Sequence, residues 1–162
     1  MMIFGMTPFT LFHVLLSLVG IATGLVVLRG WLTSNRMSRW TSAFLISTLA
    51  TVLTGFLFPF TGFTPAIGVG VIVIVTLVAA IVALYRFHLA GRWRVIFVVC
   101  STISLYFNVF VLVAQAFAKV PALNALAPTG SEPPFAAAQG LVLLAFLAAG
   151  YLAVTRFHPA AA

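Results

Sequence analysis

The placement of arginine is the sequence feature that most constrains how this chain can fold. Its seven arginines fall in three short segments that border long apolar runs: Arg29, Arg36, Arg39, Arg86, Arg92, Arg94 and Arg156. The only lysine, Lys119, and the only acidic residue, Glu132, fall together in a different connection. Cytoplasmic loops of helical membrane proteins carry an excess of lysine and arginine. The pattern therefore predicts a helical membrane protein with its arginine segments in the cytoplasm and the connection between Lys119 and Glu132 outside.

The overall composition favours the same class of protein. The chain is 64% hydrophobic and 6% charged, whereas soluble domains carry about 25% charged residues. The net charge of +7 is spread over the ends of apolar runs, where arginine side chains extend toward lipid headgroups. We therefore expect membrane lipids as partners and no nucleic acid.

Five apolar runs each have about the 20 residues that a membrane-spanning helix needs. The predicted spans cover approximately residues 8–28, 40–58, 66–85, 95–118 and 135–155. An odd number of spans in this orientation puts the amino terminus outside and the carboxyl terminus in the cytoplasm. Because no other segment is long or polar enough to form a soluble domain, we predict a single domain, residues 1–162, that is an all-α integral membrane bundle of five transmembrane helices. The expected location is the inner membrane of a bacterium.

Several residues predict where the helices begin and end. Thr7 and Thr64 each precede a proline, which is the pattern of an N-cap followed by the first helical residue. Gly30 is expected to end the first helix, and Trp31 next to it to anchor the chain at the membrane interface. The connection over residues 55–65 carries four phenylalanines, which either cap the bundle or form a contact surface for lipid or another subunit.

Gly20 and Gly24 predict a close contact between helices. They form a small-xxx-small pattern in the first span, which lets the backbone of another helix approach closely. The partner helix is either another span of the same chain or the equivalent span of a second copy.

Polar residues inside the spans carry most of the information about function. Those of the fourth span recur at spacings that place them on one helix face: Ser101, Ser104, Asn108, Gln115 and Lys119. Histidine, asparagine and glutamine are costly beside lipid and should point into the bundle.

When the spans are threaded through the predicted orientation, polar residues of four helices reach similar depths in the outer half of the membrane. These are His13, Thr51, Thr54, Gln115 and Gln139, and together with Asn108 near mid-span they form a predicted ligand pocket. Lys119 and Glu132 form a polar pair just above this pocket. The alternative is that these side chains only hydrogen-bond between helices and hold the bundle together.

No catalytic signature accompanies this pattern. With one carboxylate and one cysteine, Cys100, the chain offers no nucleophile–histidine–carboxylate set and no metal ligands at helical spacing. We expect no enzymatic activity, no metal and no cofactor. The leading hypothesis is a non-catalytic accessory or scaffold subunit, whose partners are copies of itself or other membrane subunits. Two alternatives stay open: a small-molecule carrier, channel or receptor that uses the outer pocket, and a redox subunit that contacts quinone or haem through His13.

Overall fold

The chain folds into antiparallel helices in a computed structural model that describes residues 7–59, 62 and 64–159. Every regular element in these residues is helical, so the predicted all-α class is confirmed. The helices are α1 (Pro8–Leu32), α2 (Ser38–Gly55), α3 (Pro65–Ile81), α4 (Arg92–Lys119), α5 (Pro121–Asn124) and α6 (Pro133–Arg156). A single π-helical segment, Val82–Arg86, continues α3 at its carboxyl end.

Four of the helices are long and apolar enough to cross a membrane. They are α1, α3 with its π-helical extension, α4 and α6. The run predicted as the second span corresponds to α2, which does not meet the same criterion of length and composition. The reason is visible in its sequence, because α2 carries Arg39 in its first turn and seven serine or threonine residues along its length.

Two threonine caps begin their helices as predicted. The Thr7 hydroxyl accepts a hydrogen bond from the Thr10 amide at 3.2 Å, and the Thr64 hydroxyl accepts one from the Ile67 amide at 3.4 Å. Both helices then start with proline. Each cap satisfies an amide that has no partner within the helix.

The prediction that α1 ends at Gly30 is wrong, because α1 continues to Leu32. Gly30 is buried where the next connection folds back against α1. A Cβ atom at this position would lie 2.5 Å from the Met37 sulfur. The glycine is therefore needed for a close approach of the connection and not for ending the helix.

Consecutive long helices run antiparallel, and α4 lies at the centre. α1 and α2 form a hairpin in which His13 meets Thr54 near one end and Gly30 meets Met37 near the other. α4 packs against α1, α3 and α6. This arrangement puts the carboxyl ends of α1, α3 and α6 at the same end of the bundle as the amino ends of α2 and α4.

All seven arginines consequently lie at one end of the bundle, which we call the arginine end. They occupy the last turns of α1 and α6, the first turns of α2 and α4, the last residue of the π-helical segment, and the connection before α2: Arg29, Arg156, Arg39, Arg92, Arg94, Arg86 and Arg36. Lys119 ends α4 at the opposite end, and Glu132 directly precedes α6 there.

Gly20 and Gly24 lie where α1 approaches α2 and α4 most closely. A Cβ atom on Gly24 would stand 2.5 Å from Leu105 Cδ1 and 2.9 Å from Phe44 Cδ2. A Cβ atom on Gly20 would lie 3.1 Å from the Thr48 hydroxyl. Both glycines therefore face helices of the same chain.

Trp31 belongs to the core, so its predicted role as an interfacial anchor is wrong. Its side chain is 2% exposed. The indole packs against the rings of Phe97 and Phe157, at centroid distances of 5.4 and 5.9 Å. These rings connect α1, α4 and the end of α6 at the arginine end.

Arg94 closes the same end of the structure by capping α6. Its guanidinium donates hydrogen bonds to the backbone carbonyls of Val154 and Phe157. The last carbonyls of a helix have no intrahelical partner, and a cation near them is also favoured by the helix dipole. Arg94 therefore contributes to the fold as well as to the charge of this end.

Part of the connection between α2 and α3 lies outside the described residues, including Phe60 and Phe63 of the predicted phenylalanine-rich surface. The two phenylalanines that precede them pack against the bundle. The Phe56 ring lies over Gly70, and the Phe58 ring contacts Phe9 at a centroid distance of 5.0 Å.

We predict that Gly24→Leu destabilises the bundle by about 3 kcal/mol, because the added side chain has no room between Leu105 and Phe44. Thermal unfolding of the purified protein in detergent measures the effect. Gly140→Leu is the matched control, because a Cβ atom at Gly140 meets nothing within 4 Å. Equal melting temperatures for the two variants would contradict close packing at Gly24.

Candidate functional site

His13 pairs with Thr54 between α1 and α2. The His13 Nδ1 atom lies 2.8 Å from the Thr54 hydroxyl oxygen. That hydroxyl donates its own proton to the backbone carbonyl of Ala50 at 2.8 Å, so its oxygen accepts from the imidazole. The pair therefore favours the imidazole form that carries a proton on Nδ1.

The His13 ring is further enclosed by its neighbours. The Phe58 ring stands edge-on to it at a centroid distance of 5.2 Å. Gly55 also passes close to the ring, and a Cβ atom there would lie 3.5 Å from His13 Cε1. The imidazole is thus one member of a packed contact between α1 and the end of α2.

Asn108 pairs with Thr48 at the next level of the bundle. Its amide nitrogen donates to the Thr48 hydroxyl at 3.4 Å. The Thr48 side chain is fully buried, and Gly20 leaves the space in which the two groups meet. This contact joins α4 to α2 across the face of α1.

Gln139 and Thr51 have separate partners from these two pairs. The Gln139 amide nitrogen donates to the Phe110 carbonyl at 3.0 Å, which links α6 to α4. The Gln139 side-chain oxygen is buried without a hydrogen-bond partner among the described residues. The Thr51 hydroxyl donates to the Ser47 carbonyl within its own helix.

Gln115 and Lys119 do not join these contacts. Both side chains are exposed near the end of α4. Asn108 lies beside Gly20 of α1. Gln115 is seven residues after Asn108, and His13 is seven residues before Gly20 in the antiparallel α1, so the two side chains lie at the same depth. Sequence spacing therefore predicted a shared depth for Gln115 and His13, but the structure places no contact between them.

Glu132 is held by its own connection. The carboxylate accepts hydrogen bonds from the Thr129 amide at 3.0 Å, from the Thr129 hydroxyl at 2.9 Å and from the Ser131 amide at 3.0 Å. These bonds, led by the one from the Thr129 backbone, lower the pKa of Glu132 to about 2. The carboxylate is thus a fixed anion that orders the turn before α6, with Thr129 and Ser131 as its partners rather than Lys119.

The sequence interpretation missed one pair between α3 and α4. The Thr76 and Ser104 hydroxyls lie 2.8 Å apart. Thr76 is the only residue of α3 with a hydrogen-bonding side chain. That isolation in an otherwise apolar helix was the available signal for a contact with the polar face of α4.

Two cavities lie at opposite ends of the bundle, and neither is lined by His13, Asn108 or Gln115. One, of about 170 Å³, lies at the arginine end between the amino end of α2 and the π-helical segment. The other, of about 440 Å³, lies between α4 and the segment that joins it to α6. Asn124 and Thr129 provide polar groups to the second cavity, and Phe117 and Phe135 provide its apolar wall.

Histidine, cysteine and carboxylate side chains are scattered. Within residues 7–59, 62 and 64–159, no three of them come together as metal ligands. Cys100 is a free, half-buried thiol in α4. Comparison of the chain with protein-family models, with curated proteins and with solved structures found no match.

The pair between His13 and Thr54 should contribute measurably to stability. We expect a double-mutant cycle with His13→Phe and Thr54→Val to give a coupling of about 0.6 kcal/mol, and at most about 1.7 kcal/mol, the range measured for hydrogen bonds between membrane helices. Thermal unfolding in detergent provides the four stabilities. The control cycle combines His13→Phe with Thr76→Val, whose hydroxyl bonds elsewhere. A coupling no larger than the control would mean that the His13 contact contributes nothing.

Proposed function

We propose that this chain is a five-span, non-catalytic membrane protein that acts as an accessory or scaffold subunit in a homo-oligomer or a larger membrane complex. Its amino terminus lies outside and its carboxyl terminus in the cytoplasm. Four helices apolar enough to span a membrane support the membrane location. The fifth span, the orientation and the subunit role rest on the following observations.

The antiparallel contact between α1 and α2 supports α2 as a span. α2 is 18 residues long, about 27 Å at 1.5 Å per residue, and the hydrocarbon core is about 30 Å thick. It pairs with α1 from His13 near one end to Gly30 near the other. A helix that accompanies a spanning neighbour over this distance crosses the same thickness.

Three hydroxyl groups of α2 are compatible with this location because their protons are used within the helix. Ser47 donates to the Ala43 carbonyl at 2.7 Å, and Thr51 and Thr54 donate to carbonyls four residues earlier at 2.8 Å. A polar group in the membrane is costly only when it lacks a partner. The amino-acid composition of α2 therefore overstates the number of unpaired polar groups that the helix has in the folded bundle.

The separation of charge supports the orientation. Seven arginines lie at one end of the bundle, while Lys119 and Glu132 lie at the other. Positive residues close to spanning helices are retained in the cytoplasm. The arginine end is therefore assigned to the cytoplasmic face.

The subunit proposal rests on the polar side chains that were predicted to form a ligand pocket. His13, Asn108 and Gln139 each donate to a group on another helix. One hydrogen bond from each of these side chains joins the helices α1, α2, α4 and α6. This use favours a bundle that is built to be rigid over one that offers these groups to a ligand.

α6 supplies the surface on which we place the subunit contact. It is the least covered of the long helices, and Leu141, Leu144, Leu147 and Tyr151 are each more than 60% exposed on one face. Lipid chains can cover such a face, and so can the same face of a second copy. A subunit that contributes no chemistry would use this face for assembly.

The cavity between α4 and α6 favours a second candidate function, a carrier or receptor for a small ligand. Its volume of about 440 Å³ lies within the range of about 300–1,000 Å³ that is common for small-molecule sites. In the proposed orientation it opens on the outer side, as the sequence led us to expect of a pocket, although Asn124 and Thr129 replace the residues predicted to line it.

The five-span topology predicts which loops a membrane-impermeant maleimide labels in intact cells. In a Cys100→Ala background, Gly62→Cys and Ser131→Cys should react, whereas Asn35→Cys should react only after permeabilisation. The comparison of Asn35 with Gly62 tests whether α2 crosses the membrane. Labelling of both from the same side would contradict the fifth span, and labelling of Asn35 alone would reverse the orientation.

The subunit role predicts an assembly larger than one chain. Native mass spectrometry after mild detergent extraction should give a multiple of the chain mass or a defined complex. In native membranes, Leu144→Cys in the Cys100→Ala background should form disulfide-linked dimers. Ile46→Cys on α2 is the control, because it is as exposed as Leu144 and lies at a similar depth. A lone monomer without selective cross-linking would contradict the role.

A further inference from the structure

The cavity at the arginine end is lined by one arginine and several hydrogen-bonding side chains. It lies between the start of α2 and the π-helical segment, and its volume is about 170 Å³. Arg36, Ser38 and Ser42 line one side, and Tyr85 and His88 line the other. The Ser42 and Tyr85 hydroxyls are 3.3 Å apart. With Thr41, which also lines the cavity, the site offers a guanidinium, an imidazole and four hydroxyl groups within one concave surface.

The charge of the Arg36 guanidinium is not neutralised by an acidic side chain of the protein. The chain has a single acidic residue, Glu132, and its carboxylate is bound to Thr129 and Ser131 at the opposite end of the bundle. Arg36 and the other arginines of this end thus face no acidic side chain. A partly enclosed cationic site is most stable when it holds an anion.

The first turn of α2 borders this side of the cavity through Ser38. α2 starts at Ser38 after Met37, which provides no side-chain cap, and its first turn contains no acidic residue. The first amides of a helix have no intrahelical partner, and the helix dipole favours an anion near them. These amides would supplement the Arg36, Tyr85 and His88 side chains, which distinguish this cavity from an ordinary helix start.

We propose that this cavity binds a phosphate group at the cytoplasmic face of the membrane. Arg36 provides the charge, and Ser38, Ser42, Tyr85 and His88 provide hydrogen bonds to the phosphate oxygens. At about 30 Å³ for each water, a volume of 170 Å³ has room for roughly five waters, which is enough for a phosphate group and its immediate substituents. The phosphate belongs either to an anionic lipid headgroup or to free inorganic phosphate.

The position of the cavity is suited to a lipid headgroup. Trp40 lies in the first turn of α2 and Tyr85 in the π-helical segment, and both side chains are about half exposed. Such aromatic side chains concentrate at the level of the lipid headgroups. The proposed site depends on the membrane location of the chain and on the position of its arginine end. It does not depend on whether the protein is a single chain or part of an assembly.

The test measures phospholipid retained by the full-length protein in native mass spectrometry, with phosphatidylglycerol or phosphatidylcholine added to the detergent. The wild-type protein should retain one phosphatidylglycerol and no phosphatidylcholine. Arg36→Gln should weaken this binding about tenfold or more, as expected for loss of a charge-assisted hydrogen bond. Arg156→Gln is the control, because Arg156 is exposed at the same end but does not line the cavity.

Ser38→Asp separates loss of binding from loss of folding. An aspartate in the first turn favours α2 through the helix dipole, so the melting temperature should be unchanged or higher. The same carboxylate repels phosphate, and phosphatidylglycerol binding should fall at least as far as in Arg36→Gln. A stable Ser38→Asp protein that binds phosphatidylglycerol like the wild type would overturn the proposal.

Inorganic phosphate distinguishes the two sources of the ligand. At matched ionic strength, phosphate in place of chloride should raise the melting temperature of the wild type, and not of Ser38→Asp, if the site accepts the free ion. Selective lipid retention without that rise assigns the site to the lipid headgroup. Equal loss of lipid in Arg36→Gln and Arg156→Gln, with no phosphate effect, would mean that general charge attraction accounts for the binding and that there is no site.

Discussion

The close approach of α1 to α2 and α4 is the contact on which the rest of the bundle depends. Gly20 and Gly24 remove the side chains that would hold these helices apart. Water is absent from the membrane interior, so helices associate there through packing and hydrogen bonds between them. Without the approach at Gly20, Asn108 on α4 could not reach Thr48 on α2. The close approach of these helices is therefore required both for their packing and for the hydrogen bond between their polar side chains.

The polar residues of the spans follow from the same constraint. Most of them bond to a hydroxyl, an amide or a carbonyl on a neighbouring turn or helix, as Thr76 and Ser104 illustrate, whereas the buried Ser101 and Thr102 hydroxyls have no hydrogen-bond partner among the described residues. The buried Gln139 side chain is half satisfied, with its nitrogen bonded and its oxygen unpaired within the described structure. Both cavities described above lie at the ends of the bundle.

The two ends of the bundle differ in how their charges are held. At one end, Glu132 is fixed by hydrogen bonds in its own turn, and its low pKa follows from them. At the other end, Arg94 is bound to the carboxyl end of α6. Arg36 instead borders a cavity without an acidic partner. The cytoplasmic face that we propose thus combines a structural arginine with an arginine that is available to an anion.

The sequence was sufficient for local features, and it failed where the answer depended on a neighbour. The caps at Thr7 and Thr64 were predicted because a cap is decided by residues within one turn. Gly30 and Trp31 were misjudged because the reason for each is a residue distant in sequence, Met37 for the glycine and Phe157 for the indole. Sequence spacing likewise gave the helix face of Gln115 and not whether another helix covers that face.

The sequence by itself determined the class of the protein, its helices and the separation of its charges, because hydropathy, helix caps and arginine positions are properties of short segments. The tertiary structure alone decided which polar groups meet. In the structure His13 pairs with Thr54, Gln115 is exposed, and the two cavities lie away from the predicted pocket. The physical reason is that a contact between helices depends on their rotation and distance, which are set by packing at positions such as Gly24 and cannot be read from one helix at a time.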